Sequence, residues 1–162
     1  MSSLLYTTTF IAALGSGLVA GIFFAFSTFI MKALGKLPPE KGIAAMQSIN
    51  VVIINPWFIP LFIGTALLCV FMTVLAFVQR PPSAMTWLLA GSVLYFVGSF
   101  VFTMIFNVPR NNALDAVDAA SAEGAKLWAD YLVTWTFWNH VRTVASSGAM
   151  ASFIAALNKL SC

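Results

Sequence analysis

Charge is scarce in this sequence of 162 residues. Lysine and arginine number 8, aspartate and glutamate 5, and together they make up 8% of the chain, against roughly 25% in a soluble domain. Histidine occurs once, as His140, and cysteine only as Cys69 and Cys162. The few charges are scattered, so the net charge of +3 forms no basic patch suited to nucleic acid. No spacing of histidine, cysteine and carboxylate resembles a zinc or iron motif, so no metal is expected. A lone histidine could ligate haem iron, but nothing else in the chain asks for haem. A glycine-rich nucleotide fingerprint is also missing, and the expectation is a protein without a resident cofactor. Both cysteines read as unpaired. Strand-type alternation is absent, which leaves an all-α fold.

Apolar residues are abundant, at 60% of the chain. A soluble core does not need so many, so the expected solvent is lipid. A spanning helix takes roughly 20 apolar residues. Four such stretches are expected, at about 4–31, 51–78, 84–106 and 134–157, within one membrane domain covering 1–162. Backbone groups in hydrocarbon must be bonded internally, so these stretches are helices. The first has no basic segment before it and is too long for a signal peptide, so it reads as a retained span. Gln79-Arg80-Pro81-Pro82-Ser83 makes a tight turn between spans two and three. The other two connections are longer. Pro38-Pro39-Glu40 starts a helix that carries Ile43, Met46, Ile49 and Ile53 at helical spacing and is expected to run into span two. Ser121 caps a second helix that carries Leu127, Trp128 and Tyr131 into span four. The resulting picture is a four-helix up-down bundle in which helices two and four project on one side as a cap. Lys32, Lys36, Lys41, Arg110 and Lys126 flank the cap, and Arg80 and Lys159 lie opposite. The positive-inside rule therefore favours a cytoplasmic cap, and the expected location is a bacterial inner membrane.

Alternating spans bring distant polar residues to one side. Asn50 and Asn55 enter span two, Asn107, Asn111 and Asn112 leave span three, and Asn139, His140 and Arg142 lie in the first turns of span four. Histidine and arginine are costly in hydrocarbon and usually face a bundle interior, a wet pocket or a partner. Trp135, Trp138, Asn139 and Arg142 share one face of a helix. His140 lies on the adjacent face with Thr136, Thr143 and Val144, and both faces could border one pocket. Gly17 and Gly21 in span one, and Gly91 and Gly98 in span three, suit close helix contact. The first pair also leaves a homo-oligomeric contact open. Trp57 and Trp128 read as an interfacial belt.

Several of these stretches resemble a known family. Phe24-Ala25-Phe26-Ser27, Ala44 to Asn50, Asn55-Pro56, Phe106 to Asn111 and Trp135 to Thr143 are similar to the anthrone oxygenase-like family of small four-helix membrane proteins. Many of its bacterial members have no assigned function. Its fungal relatives are associated with oxidation of anthrones to anthraquinones. The resemblance implies a membrane oxidoreductase, a monooxygenase, that acts on an anthrone- or quinone-like aromatic compound with dioxygen.

Such chemistry requires a base, an oxyanion stabiliser and a dry chamber. His140 is the candidate general base, because its unperturbed pKa lies near neutrality. Arg142 is the candidate stabiliser of an enolate. Asn107, Asn111 and Asn139 are candidate donors to quinoid oxygens, and Trp135 and Trp138 are candidates to flank a flat ring. Structural alternatives stay open. Arg142 could pair with Asp130 or Asp115 or snorkel to headgroups, and Asn55 and Asn107 could be helix caps. A carrier of a lipophilic ligand such as a quinone or lipid, or a small transporter or partner subunit, would also fit the composition.

Overall fold

The computed structural model describes residues 3–161, so the free-thiol expectation for Cys162 lies outside the described residues. Among those residues there are helices and no strand. Five continuous helices follow one another: α1 Ser3–Leu34, α2 Pro39–Val52, α3 Phe58–Gln79, α4 Met85–Asp115 and α5 Ala122–Leu160. Three of them, α1, α3 and α4, are long and apolar enough to cross a membrane. Helix α5 holds the fourth expected span, 134–157, and does not reach the same apolarity. Its packing explains why: buried residues recur along its length and include Asn139, Arg142, Thr143, Ser146 and Ser152. A helix that turns polar and small side chains toward its neighbours needs less apolar surface than one that faces lipid on several sides. At 39 residues it is about 58 Å long, roughly twice a hydrocarbon core.

The expected continuous helix from Pro39 into span two is broken. Helix α2 ends at Val52 and α3 begins at Phe58. Pro56 supplies no N–H and disfavours helical geometry at the residue before it. Asn55 then caps the restart, its Oδ1 accepting from the backbone N–H groups of Trp57 at 3.0 Å and Phe58 at 2.9 Å. The cap expected at Asn107 is not formed, because α4 runs through that residue to Asp115. A π-helical turn at Thr103–Asn107 precedes Val108-Pro109, and the proline sits in the first turn of the segment that follows.

The apolar core has a central cluster and one at each end. In the centre Phe23, Phe62, Tyr95 and Phe153 join α1, α3, α4 and α5. Leu5, Ala76, Leu88 and Leu160 close one end. At the other end Met31, Ile43, Met46, Leu114, Trp128, Tyr131 and Trp135 pack together. Trp128 is thus a core residue and not part of an interfacial belt, whereas Trp57 is 85% exposed. Helix α1 packs on α5 along its length and on α3, and α4 packs on α5 and α3.

The small residues act as the spacing suggested, with one exception. A Cβ on Gly98 would stand 2.7 Å from Ala145 Cβ, and one on Gly17 would stand 2.7 Å from Met150 Sδ. Gly21 has no neighbour within 4 Å and faces outward. Gly98→Val should therefore destabilise the fold by about 1–3 kcal/mol, because Ala145 has no flexible end that can move aside. Gly21→Ala should be neutral or slightly stabilising. Thermal unfolding in detergent reads both, and equal melting temperatures for the two variants would contradict this packing.

Candidate active site

Polar groups inside the bundle are concentrated where α5 meets α1 and α4. Both partner helices are widened there by π-helical turns, at Phe26–Ile30 in α1 and at Leu94–Val101 and Thr103–Asn107 in α4. Such turns often accompany functional sites. These carry Ser27, Ser99, Thr103 and Asn107 toward α5. Ser27 shares a 2.9 Å hydrogen bond with Thr143, Ser146 donates to Ser99 at 2.9 Å, and Asn107 Nδ2 donates to the Trp135 carbonyl at 3.2 Å.

Arg142 lies in this seam and is only 3% exposed. Its Nη1 donates to Thr103 Oγ1 at 3.1 Å and its Nη2 to Asn139 Oδ1 at 2.8 Å. Its Nε has no partner. The guanidinium carbon stands 4.2 Å from the centroid of Phe23 and 5.2 Å from that of Trp135. Among the described residues no carboxylate pairs with it. Burying an ion costs several kcal/mol even after relaxation. Two π faces return about 0.5–2 kcal/mol each, and two hydrogen bonds to neutral groups return a similar amount. The cation is held in place but not neutralised, and a guanidinium with five N–H donors keeps donors to spare.

Asn139 fixes the position of this cation. It is fully buried, and its Nδ2 donates to the Phe23 carbonyl at 2.8 Å and to Ser27 Oγ at 2.7 Å while its Oδ1 receives Arg142. The amide thus ties Arg142 on α5 to the widened turn of α1.

Arg142 and Trp135 border a cavity of about 250 Å³. Aromatic and aliphatic side chains dominate its wall, among them Phe23, Phe26, Phe58, Phe62 and Ile59. Its polar lining is small: Arg142, Thr103, Asn50, Asn111, Asn112 and Asp115. Asn50 Nδ2 donates to Asp115 Oδ1 at 3.1 Å and joins α2 to the end of α4. Asn111 Oδ1 accepts from Trp135 Nε1 at 2.7 Å and from the Tyr131 hydroxyl at 2.8 Å, which leaves its Nδ2 without a protein partner. Burial pushes the pKa of the Tyr131 phenol up, so it stays protonated as a donor. An apolar chamber with a few convergent polar groups is the usual form of a small-molecule site.

A family model described as anthrone oxygenase matches residues 55–152. The chain belongs to the anthrone oxygenase family. No curated protein matches it, and no solved structure does. The matched stretch includes Thr103, Asn111, Asp115, Trp135, Asn139 and Arg142, whereas Phe23 and Asn50 lie before it.

In this anthrone oxygenase family member the polar residues expected to converge do so only in part. Arg142, Asn111 and Trp135 line the cavity. Asn107 and Asn139 are buried behind the wall and bond to protein groups. Trp138 stacks on Phe106 with centroids 3.5 Å apart and planes 2° from parallel, so its face is already covered. His140 does not share the chamber. It is exposed on the outer side of α5, in a stripe with Val133, Phe137 and Val144. The reason is helical: one residue past Asn139 is a rotation of about 100°, away from the buried face. Nor does Arg142 pair with Asp130 or Asp115. Asp115, Asn50, Asn112 and Thr103 are the polar cavity residues not assigned to the site from sequence. Asp115 is read there as a possible Arg142 partner, and Thr103 gives no signal because only the π-helical turn brings it toward α5.

Asn139→Leu should cost about 1–3 kcal/mol, because it takes the acceptor from Arg142 Nη2 and the side-chain donor from the Phe23 carbonyl and Ser27 Oγ. Chemical unfolding in detergent checks this, and an unchanged midpoint would contradict the clamping role.

Proposed function

We propose that the protein is a cofactor-independent oxygenase of an anthrone-like aromatic compound, embedded in the bacterial cytoplasmic membrane. In this reading α1, α3, α4 and the 134–157 part of α5 form a four-helix up-down bundle. Helix α2 and the start of α5 cap it on the cytoplasmic side, in keeping with the lysine and arginine distribution. The observation that carries the proposal is the buried, carboxylate-free Arg142 guanidinium on the wall of an aromatic-lined cavity. A fixed cation in a low-dielectric site stabilises negative charge that develops on a bound oxygen far more than it would in water. The cavity, at about 250 Å³, lies just below the roughly 300–1,000 Å³ of most ligand pockets, so its occupant is a small, flat molecule of a few fused rings.

The chemistry follows from the substrate's own acidity. An anthrone carries a carbonyl and a methylene on opposite sides of its central ring. Asp115, the one carboxylate among the described residues that line the cavity, removes a methylene proton, and the charge moves to the carbonyl oxygen against Arg142. The enolate gives one electron to dioxygen, and the two radicals combine in a new carbon–oxygen bond. Protonation of the distal oxygen gives a hydroperoxide. Loss of the second methylene proton then breaks the O–O bond and expels hydroxide, which leaves as water. One oxygen atom ends in the quinone carbonyl and the other in water. Asn111 Nδ2 offers a further hydrogen bond to a substrate oxygen, and Trp135, stacked on Tyr131, holds the Arg142 guanidinium over its ring at the cavity wall.

Oxygen uptake by vesicles containing the protein, with anthrone as substrate and empty vesicles as control, tests the proposal. Arg142→Met should lower turnover by about 10²–10³-fold, the usual effect of removing an oxyanion stabiliser. Asp115→Asn should lower it by about 10²-fold or more. His140→Gln should stay within about twofold of wild type, since its ring faces away from the chamber. Loss of turnover in His140→Gln with Asp115→Asn unaffected would overturn the assignment of the base. Anthrone binding without oxygen uptake would leave a lipophilic-ligand carrier.

A further inference from the structure

The cavity has two differently built rims. On one side the exposed lining residues are polar, Asn112 and Asp115 near the end of α4. On the other they are apolar: Ile54 at 72%, Met104 at 43% and Ile63 at 38% exposure line the cavity and also face outward. Ile59 and Ile63 stand one turn apart on α3, and Met104 and Val108 one turn apart on α4. The two pairs belong to helices long and apolar enough to cross a membrane.

The gap between them has a structural cause. Helix α3 packs on the Met85–Val93 and Leu94–Val101 parts of α4, whereas the Thr103–Asn107 turn packs on α5 and on the end of α4. Thr103 in that turn reaches Arg142 on α5, while the contacts of α3 with α4 are concentrated before the turn. The break at Asn55-Pro56 starts α3 only at Phe58, so no helical backbone precedes Ile59 by more than one residue. An opening walled by isoleucine and methionine on membrane-crossing helices faces acyl chains, not water. Behind it lies Arg142, nine-tenths or more buried and with an unpartnered nitrogen.

We infer that the cavity exchanges its ligand sideways with the bilayer, through the gap between Ile59–Ile63 of α3 and Met104–Val108 of α4, and that its occupant is a membrane-dissolved planar aromatic compound. The inference rests on the proposed function for the class of ligand. It adds the route, and it leaves the Asn112–Asp115 rim as a path for protons and water.

The test uses the full-length protein in phosphatidylcholine vesicles with 1,8-dihydroxyanthraquinone as the probe, its binding followed by its own visible absorbance after rapid mixing. Ile63→Trp and Met104→Trp, on opposite walls, should each slow both association and dissociation by at least tenfold while the ratio of the two rates changes by less than threefold. Leu67→Trp, exposed on α3 and outside the cavity lining, should leave both rates within twofold of wild type. Either wall variant suffices should the other fail to fold. Unchanged rates in the folded wall variants, or equal slowing in Leu67→Trp, would overturn the lateral route. Wild-type protein that takes up no probe would overturn the route together with the proposed function. Probe uptake that obeys the wall variants, without oxygen uptake on anthrone, would sink the oxygenase reading alone and support the route.

Discussion

The fold is organised around a cation that no anion among the described residues pairs with. Arg142 is buried against Phe23 and Trp135 and bonded only to the neutral Thr103 and Asn139. Keeping a guanidinium there costs stability that a methionine or leucine would not. The surrounding architecture is what makes the position tolerable. Asn139 ties the cation to α1, and Thr103 reaches it from α4. The π-helical turns bring Ser27 and Thr103 inward, at the cost of regular packing. Remove the charge and little in this arrangement needs its shape.

The same seam accounts for the composition of α5. Its interior face is built from asparagine, arginine, threonine and serine, and three other helices supply the apolar surface. Hydrogen bonds between helices, such as Ser27 with Thr143 and Ser146 with Ser99, hold α5 against α1 and α4. The cavity is lined beside the broken start of α3 by Phe58 and Ile59, and beside the widened turn of α4 by Thr103 and Met104.

Much of the architecture was legible in the sequence, because apolar length and scarce charge report directly on spanning helices. The contact roles of Gly17, Gly91 and Gly98 were legible for the same reason that small residues bring backbones together. The break at Asn55-Pro56 was not read correctly, although Pro56 carries the signal, since the apolar periodicity runs across it. At the site, three residues that the sequence makes candidates, Arg142, Asn111 and Trp135, line the cavity. His140 does not line it, because its helical phase, one step off the buried face, places it on the outer side of α5. Thr103 and Asp115 could not be assigned to the chamber from periodicity. Two π-helical turns shift the phase of α4, and only coordinates show by how much.

The central claim is that the chamber stabilises a bound oxyanion through Arg142. The most direct measurement is a spectrophotometric pH titration of 1,8-dihydroxyanthraquinone bound to wild-type protein and to Arg142→Met. Wild type should lower the pH at which the bound phenol ionises by at least about one unit, or 1.4 kcal/mol, and the variant should lose that shift while still binding. Ionisation at the same pH in both proteins would contradict it.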